Sequence, residues 1–201
     1  MSLGNKKRLG DHVDQELSFE ELQGVSGGTN RIYGGSGDDT LNGTAAMDII
    51  LGMGGDDSIS GGEGDDMLYG GAGSDTIYGG DGRNRIVGGE GDDLLIGGND
   101  RDIFSWTKGD GDDFIDGGNG CDVLELQNIG NGTLQQLWAR GEIQIRVYDQ
   151  FDGDPHRIEA DMFDGGELRN LNPDYVYEII TSTGERITFT NIEDVTTNFT
   201  V

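Results

Sequence analysis

A nine-residue period governs this chain between residues 34 and 125. Counted from Gly34, eight blocks follow one another without a gap to Ser105: GGSGDDTLN, GTAAMDIIL, GMGGDDSIS, GGEGDDMLY, GGAGSDTIY, GGDGRNRIV, GGEGDDLLI and GGNDRDIFS. Trp106 and Thr107 interrupt the count, and KGDGDDFID (108–116) and GGNGCDVLE (117–125) resume it, giving ten blocks. A fixed period means one small unit that buries its apolar side only by stacking on copies of itself.

The eighth position is apolar in every block: Leu41, Ile50, Ile59, Leu68, Ile77, Ile86, Leu95, Phe104, Ile115 and Leu124. Glycines favour a tight loop over the first six positions, because they reach positive φ cheaply. The last three positions then form a short strand, whose period-two alternation turns only the eighth side chain inward. The recurring acidic position is assigned to Asp38, Asp48, Asp57, Asp66, Asp75, Asp93, Asp102, Asp113 and Asp122, with Asn84 standing there in the sixth block.

These blocks resemble the glycine-aspartate nonapeptide of the RTX, or hemolysin-type calcium-binding, family. The resemblance implies an all-β fold, a right-handed parallel β-roll of two sheets in which each nonapeptide is half a turn. It also implies several calcium ions between stacked loops, with the nine aspartates named above as metal ligands.

With two blocks per turn, the loop of one block lies roughly 4.8 Å from the loop two blocks later. Two unit charges at that distance repel by roughly 3 to 4 kcal/mol at an effective dielectric of ~20, so a cation-free roll is expected to be loose or unfolded. A hard cation taking six to eight oxygens reverses the sign, and magnesium's strict octahedron suits carbonyl-lined loops less well than calcium. One edge is expected to stack Asp38, Asp57, Asp75 and Asp93. The other stacks Asp48, Asp66, Asn84 and Asp102, among loops that have lost glycines or gained Arg83 and Arg85. Tighter sites are expected on the first edge. Outward positions of the even blocks carry Ile49, Leu51, Met67, Tyr69, Val87 and Ile103, a stripe that residues 126–201 or a partner chain is expected to cover.

The flanks differ from the repeats, and three regions are read: 1–28, 29–125 and 126–201. Residues 1–28 lack the apolar core of a secretory signal, but LSFEELQGVSGG (17–28) resembles the double-glycine leader of peptides exported by peptidase-containing ABC transporters. That resemblance places the cut after Gly27 and Gly28. In residues 126–201 a short helix is predicted over 133–140 and strands over 142–148, 175–181, 185–190 and 195–201, making a small antiparallel β-rich cap. RITFTNIEDV (186–195) resembles the strand that closes many RTX repeats, and a C-terminal type I secretion signal is implied by that family.

Composition removes other function classes. With 39 acidic against 13 basic side chains the formal charge is −26, which disfavours nucleic acid and anionic membrane as partners. No apolar run approaches a membrane span, and the single cysteine, Cys121, excludes a disulfide scaffold. The two histidines are far apart in sequence and no HExxH or GxSxG signature occurs, so no enzyme is expected. The expected protein is secreted, extracellular and calcium-binding, with ABC-type export machinery as a partner. The alternative is an adhesive or surface-layer component whose tail binds a cell-surface glycan or protein.

Overall fold

Each three-residue run centred on an eighth-position side chain becomes the heart of a strand. The computed structural model of the protein describes residues 29–149, 155–156, 163–164, 166–173 and 175–198. Along the repeats run β1 (Asn30–Tyr33), β2 (Thr40–Asn42), β3 (Asp48–Gly54), β4 (Ser58–Glu63), β5 (Met67–Ala72), β6 (Thr76–Asp81), β7 (Arg85–Glu90), β8 (Leu94–Gly98), β9 (Ile103–Thr107), β10 (Asp113–Gly118) and β11 (Val123–Gln127). Strands of the even blocks, preceded by β1, pair in the order β1-β3-β5-β7-β9-β11. Those of the odd blocks pair in the order β2-β4-β6-β8-β10. All these pairings are parallel, as a solenoid requires.

Register follows the period. Leu41 lies opposite Ile59, Ile59 opposite Ile77, and Ile77 opposite Leu95, so each eighth-position side chain stacks on the one two blocks away. Those from Leu41 to Leu124 are all buried, joined at the first turn by Ile32, and form one apolar column between the sheets. The two extra residues leave the register intact. Leu95 still meets Ile115 and Phe104 still meets Leu124, while Trp106 is buried opposite Leu126 and the Thr107 N–H donates to Asp110 Oδ2 at 2.6 Å.

After the repeats come α1 (Leu134–Ala139), β12 (Ile143–Asp149), β13 (Pro155–His156), β14 (Phe163–Asp164), β15 (Glu167–Arg169), β16 (Tyr175–Thr181), β17 (Arg186–Thr190) and β18 (Asp194–Asn198). The helix starts on a capping box: the Gln136 N–H donates to Thr133 Oγ1, and the Thr133 N–H donates to Gln136 Oε1. β12, β16 and β17 are antiparallel, as the sequence predicts, yet they do not make a separate sheet. β17 adds parallel to β10 and β18 adds parallel to β11, so both sheets run on into the tail.

For the described residues, that arrangement corrects one of the two covers expected for the even-block sheet, the one drawn from residues 126–201. The described residues after 125 extend the two sheets at their end instead of lying across the outward stripe. Ile49, Leu51, Tyr69, Val87 and Ile103 remain half-buried and Met67 exposed. The physical reason is the open end of the roll, where β10 and β11 present rows of backbone N–H and C=O groups that a further strand satisfies.

Candidate metal centre

Parallel register brings the sixth positions of alternate blocks into two rows, one on each edge of the roll. Along the odd-block edge, Asp57 Oδ1 accepts the N–H of Asp39, Asp75 Oδ1 that of Asp57, and Asp93 Oδ1 that of Asp75, each at 2.8 Å; Asp113 Oδ1 accepts the N–H of Asp93 likewise at 2.8 Å. Along the even-block edge the same ladder links Asp48 to Asp66, Asp66 to Asn84, Asn84 to Asp102 and Asp102 to Asp122. One carboxylate oxygen is thus spent on the turn before. The other, Oδ2, is buried without a hydrogen-bond partner in Asp57, Asp66, Asp75, Asp93, Asp102 and Asp122. A buried anionic oxygen with no donor is costly, and its repetition at equivalent places marks a site for a cation.

Loop carbonyls complete the cradle. At Gly61, the first position of its block, a Cβ would stand 2.5 Å from Asp66 Oδ2 and 2.5 Å from the carbonyl oxygen of Gly79, one turn on. Glycine is needed there for space. At the second and fourth positions it is needed for conformation, as Gly71 (φ 126°) and Gly73 (φ 127°) illustrate. Among the described residues no point gathers three or more carboxylate, imidazole or thiol groups, so backbone carbonyls must supply much of any coordination shell. Carboxylate and carbonyl oxygens alone, on adaptable loops, fit a hard ion of high coordination number such as calcium.

A family model described as the RTX calcium-binding nonapeptide repeat matches four times, at residues 25–52, 42–77, 78–105 and 109–125. These repeats belong to the RTX calcium-binding family. RTX nonapeptides bind several calcium ions to a repeat region and serve as structural modules, and the family is associated with type I secretion. A comparison with curated proteins finds no match to this chain.

Within the RTX roll the first block requires a correction. Asp39, not Asp38, occupies the sixth position: it pairs with Asp57, and its Oδ2 accepts the Gly35 N–H at 2.5 Å. Asp38 belongs to a second, more exposed row, in which fifth-position carboxylates accept the fifth-position N–H of the next turn. Asp38 Oδ1 takes that of Asp56, and Asp56 Oδ1 that of Ser74, each at 2.8 Å. Five blocks carry two adjacent aspartates, so residue type alone does not separate the rows; counting from the first glycine does.

Two other positions depart from the pattern. In the second block Asp48 Oδ2 is already taken by the N–H of Thr44 at 2.6 Å and its Oγ1 at 3.0 Å, while Oδ1 is the unpartnered oxygen. In the sixth block Asn84 directs Nδ2 into the cradle and donates it to the Gly82 carbonyl at 3.2 Å. An amide N–H2 cannot ligate a cation, so the even-block edge is interrupted there. The first-position carbonyls, from Gly61 and Gly79 onward, are the partners that side-chain reasoning left unnamed.

Electrostatics also differ from the sequence expectation. Burial pushes Asp66, Asp75 and Asp102 up to about 6, and Asp93, Asp113 and Asp122 up to about 7; desolvation is the largest cause in each case. Repulsion from neighbouring aspartates raises them further but ranks behind the ladder N–H, which lowers them. The cation-free roll is therefore burdened mainly by dehydrating carboxylates. Mutual repulsion comes second. On the exposed fifth-position row, hydrogen bonds from Arg83 hold Asp65 below the ordinary carboxylate range, with Arg83 Nη2 at 2.7 Å.

Cys121 is exposed in the last loop, and the leader glycines Gly27 and Gly28 lie outside the described residues. No described helix is long and apolar enough to cross a membrane.

Proposed function

We propose that this is a non-enzymatic, secreted calcium-binding protein whose repeats fold into the roll on meeting calcium after export. Residues 1–28 act as a double-glycine leader for an ABC-type exporter, 29–125 as the calcium-binding roll and 126–201 as its cap. The supporting observation is the row of buried, unpartnered Oδ2 atoms facing loop carbonyls on both edges. Those oxygens make the metal-free fold costly and the calcium form favourable. Extracellular calcium modules bind at ~10⁻⁴–10⁻³ M, so the chain stays unfolded in the cytoplasm and folds outside.

Circular dichroism of the full chain tests this: millimolar calcium should convert a largely unfolded spectrum to β structure, and chelation should reverse it. An unchanged compact signature after exhaustive chelation would overturn the reading. Export is tested separately by mass spectrometry of secreted protein, whose mature form should begin at Thr29.

A second reading, an adhesive or surface-layer component, is favoured by the half-buried stripe of Ile49, Leu51, Tyr69, Val87 and Ile103, which no described tail strand overlies. Saturable attachment to cells that needs residues 126–201 would favour it.

A further inference from the structure

Beyond the last RTX repeat the even-block ladder gains one more rung. The Asp122 N–H donates to Glu193 Oε2 at 2.5 Å, as the Asp102 N–H donates to Asp122 Oδ1 at 2.7 Å one turn earlier. Main-chain bonds reinforce it, the N–H groups of Glu193 and Asp194 both donating to the Asp122 carbonyl at 3.1 and 3.2 Å. Val195 pairs with Leu124, in the place of an eighth-position residue.

The carbonyl cradle is repeated too. Asn191 has a left-handed backbone (φ 51°) and turns its carbonyl over Gly117, where a Cβ would collide with it and lie 2.7 Å from Asp122 Oδ2. Asn191 Nδ2 donates to Asp116 Oδ1 at 2.7 Å, which fixes that turn. Asp122 is fully buried, and its Oδ2 has no partner. Asn191 therefore stands for a first-position glycine and Glu193 for a sixth-position aspartate, in a loop three residues shorter than a nonapeptide and outside the matched repeats.

We propose that the C-terminal segment completes an additional calcium site with the last repeat, Asp122 Oδ2 and the Asn191 carbonyl being ligands and Glu193 a positioning residue. This rests on the calcium reading of the ladder. Its consequence is linkage, because the ion that fills this site also fastens β18 to β11, so calcium and the tail bind cooperatively. The odd-block edge ends differently. There β17 sets Ile187 opposite Asp113 and gives the Arg186 N–H to the exposed Asp112, so among the described residues no carboxylate from the tail joins the sixth-position row.

The test counts calcium ions bound per full-length chain by equilibrium dialysis and follows hydrogen exchange in β18. Asp122→Asn keeps the oxygen that Asp102 needs and imitates Asn84, which the roll already accommodates. It should bind one ion fewer than wild type and lose protection of the 194–198 amides, while the amides of β4 to β6 stay protected. Glu193→Ala should weaken the same ion, and Glu193→Gln, which retains an acceptor for the Asp122 N–H, should restore it. An unchanged ion count and unchanged β18 protection in Asp122→Asn would overturn the proposal. If Asp57→Asn also leaves the count unchanged, the calcium reading of the whole ladder falls with it.

Discussion

Asn84 accepts the N–H of Asp66 through Oδ1 at 3.0 Å and so keeps its rung of the ladder, yet it places an amide nitrogen where the aspartate rungs place an oxygen. The backbone cradle around it is otherwise intact, since a Cβ on Gly79 would lie 2.8 Å from Asn84 Nδ2 and collide with the Gly97 carbonyl. One atom separates an empty rung from a ligand. Asn84→Asp should therefore add one calcium ion per chain in a calorimetric titration and make the chelated protein less stable. A stoichiometry equal to wild type would show that Arg83 and Arg85, not the amide, silence this rung.

The first-position glycines give a steric prediction. Gly61 has no positive φ, so alanine there costs nothing in backbone strain, but its methyl would fill the space between Asp66 Oδ2 and the Gly79 carbonyl. Overpacking of this kind costs about 1–3 kcal/mol before the lost ion is counted. Gly61→Ala should raise the calcium concentration at the folding midpoint severalfold. Gly37→Ala, at a loop position with nothing within 4 Å of the added atom, should leave it unchanged. Equal midpoints by circular dichroism would refute the cradle.

Much of this architecture was legible in the sequence because it is carried by local periods. The apolar residue from Leu41 to Leu124 names the inward face, and stacking of alternate blocks follows from two half-turns per turn. What escaped depends on contacts across long sequence separations. Asp38 and Asp39 are chemically identical neighbours that only the count from Gly34 separates, and the pairing of Asp39 with Asp57 shows what that count means in the fold. The tail strands were visible by alternation, but nothing local to Ile187 or Val195 says that they join β10 and β11. The burial cost of the carboxylates was likewise hidden, because it depends on the solvent that neighbouring turns exclude.

Acid should stabilise the metal-free roll. Asp66, Asp75 and Asp102 are raised to about 6 and Asp93, Asp113 and Asp122 to about 7, all above their unfolded value near 3.8. Between about pH 4 and 7 the folded chain then holds more protons than the unfolded one. Stability consequently falls as pH rises through that window and is lowest above it. Thermal melts of chelated protein should gain β structure on going from pH 7.5 to 4.5. With saturating calcium the slope reverses, because protons compete with the ion for the same oxygens. A chelated protein that loses structure on mild acidification would contradict the burial argument.

The first rung of the even-block edge should bind calcium more weakly than the rungs of the odd-block edge, and the comparison of Asp57 with Asp48 isolates the reason. Asp57 spends Oδ1 on the Asp39 N–H and leaves Oδ2 buried and free of donors, as the proposed calcium site requires. Asp48 gives Oδ2 to the N–H and hydroxyl of Thr44, which occupy the oxygen a cation would otherwise use. Replacing either by asparagine preserves size and one acceptor oxygen, so differences between the two variants report charge and ligation. Asp57→Asn should weaken calcium binding by about tenfold or more, equivalent to ~1.4 kcal/mol, and Asp48→Asn by much less. Asp75→Asn should behave like Asp57→Asn, because Asp75 repeats the same bonds one turn on, donating its N–H to Asp93 and leaving its own Oδ2 unpartnered. Equal losses at Asp48 and Asp57 in calorimetric titrations would mean that Thr44 yields its hydrogen bonds to the ion, and the distinction drawn for the Asp48 rung would have to be abandoned.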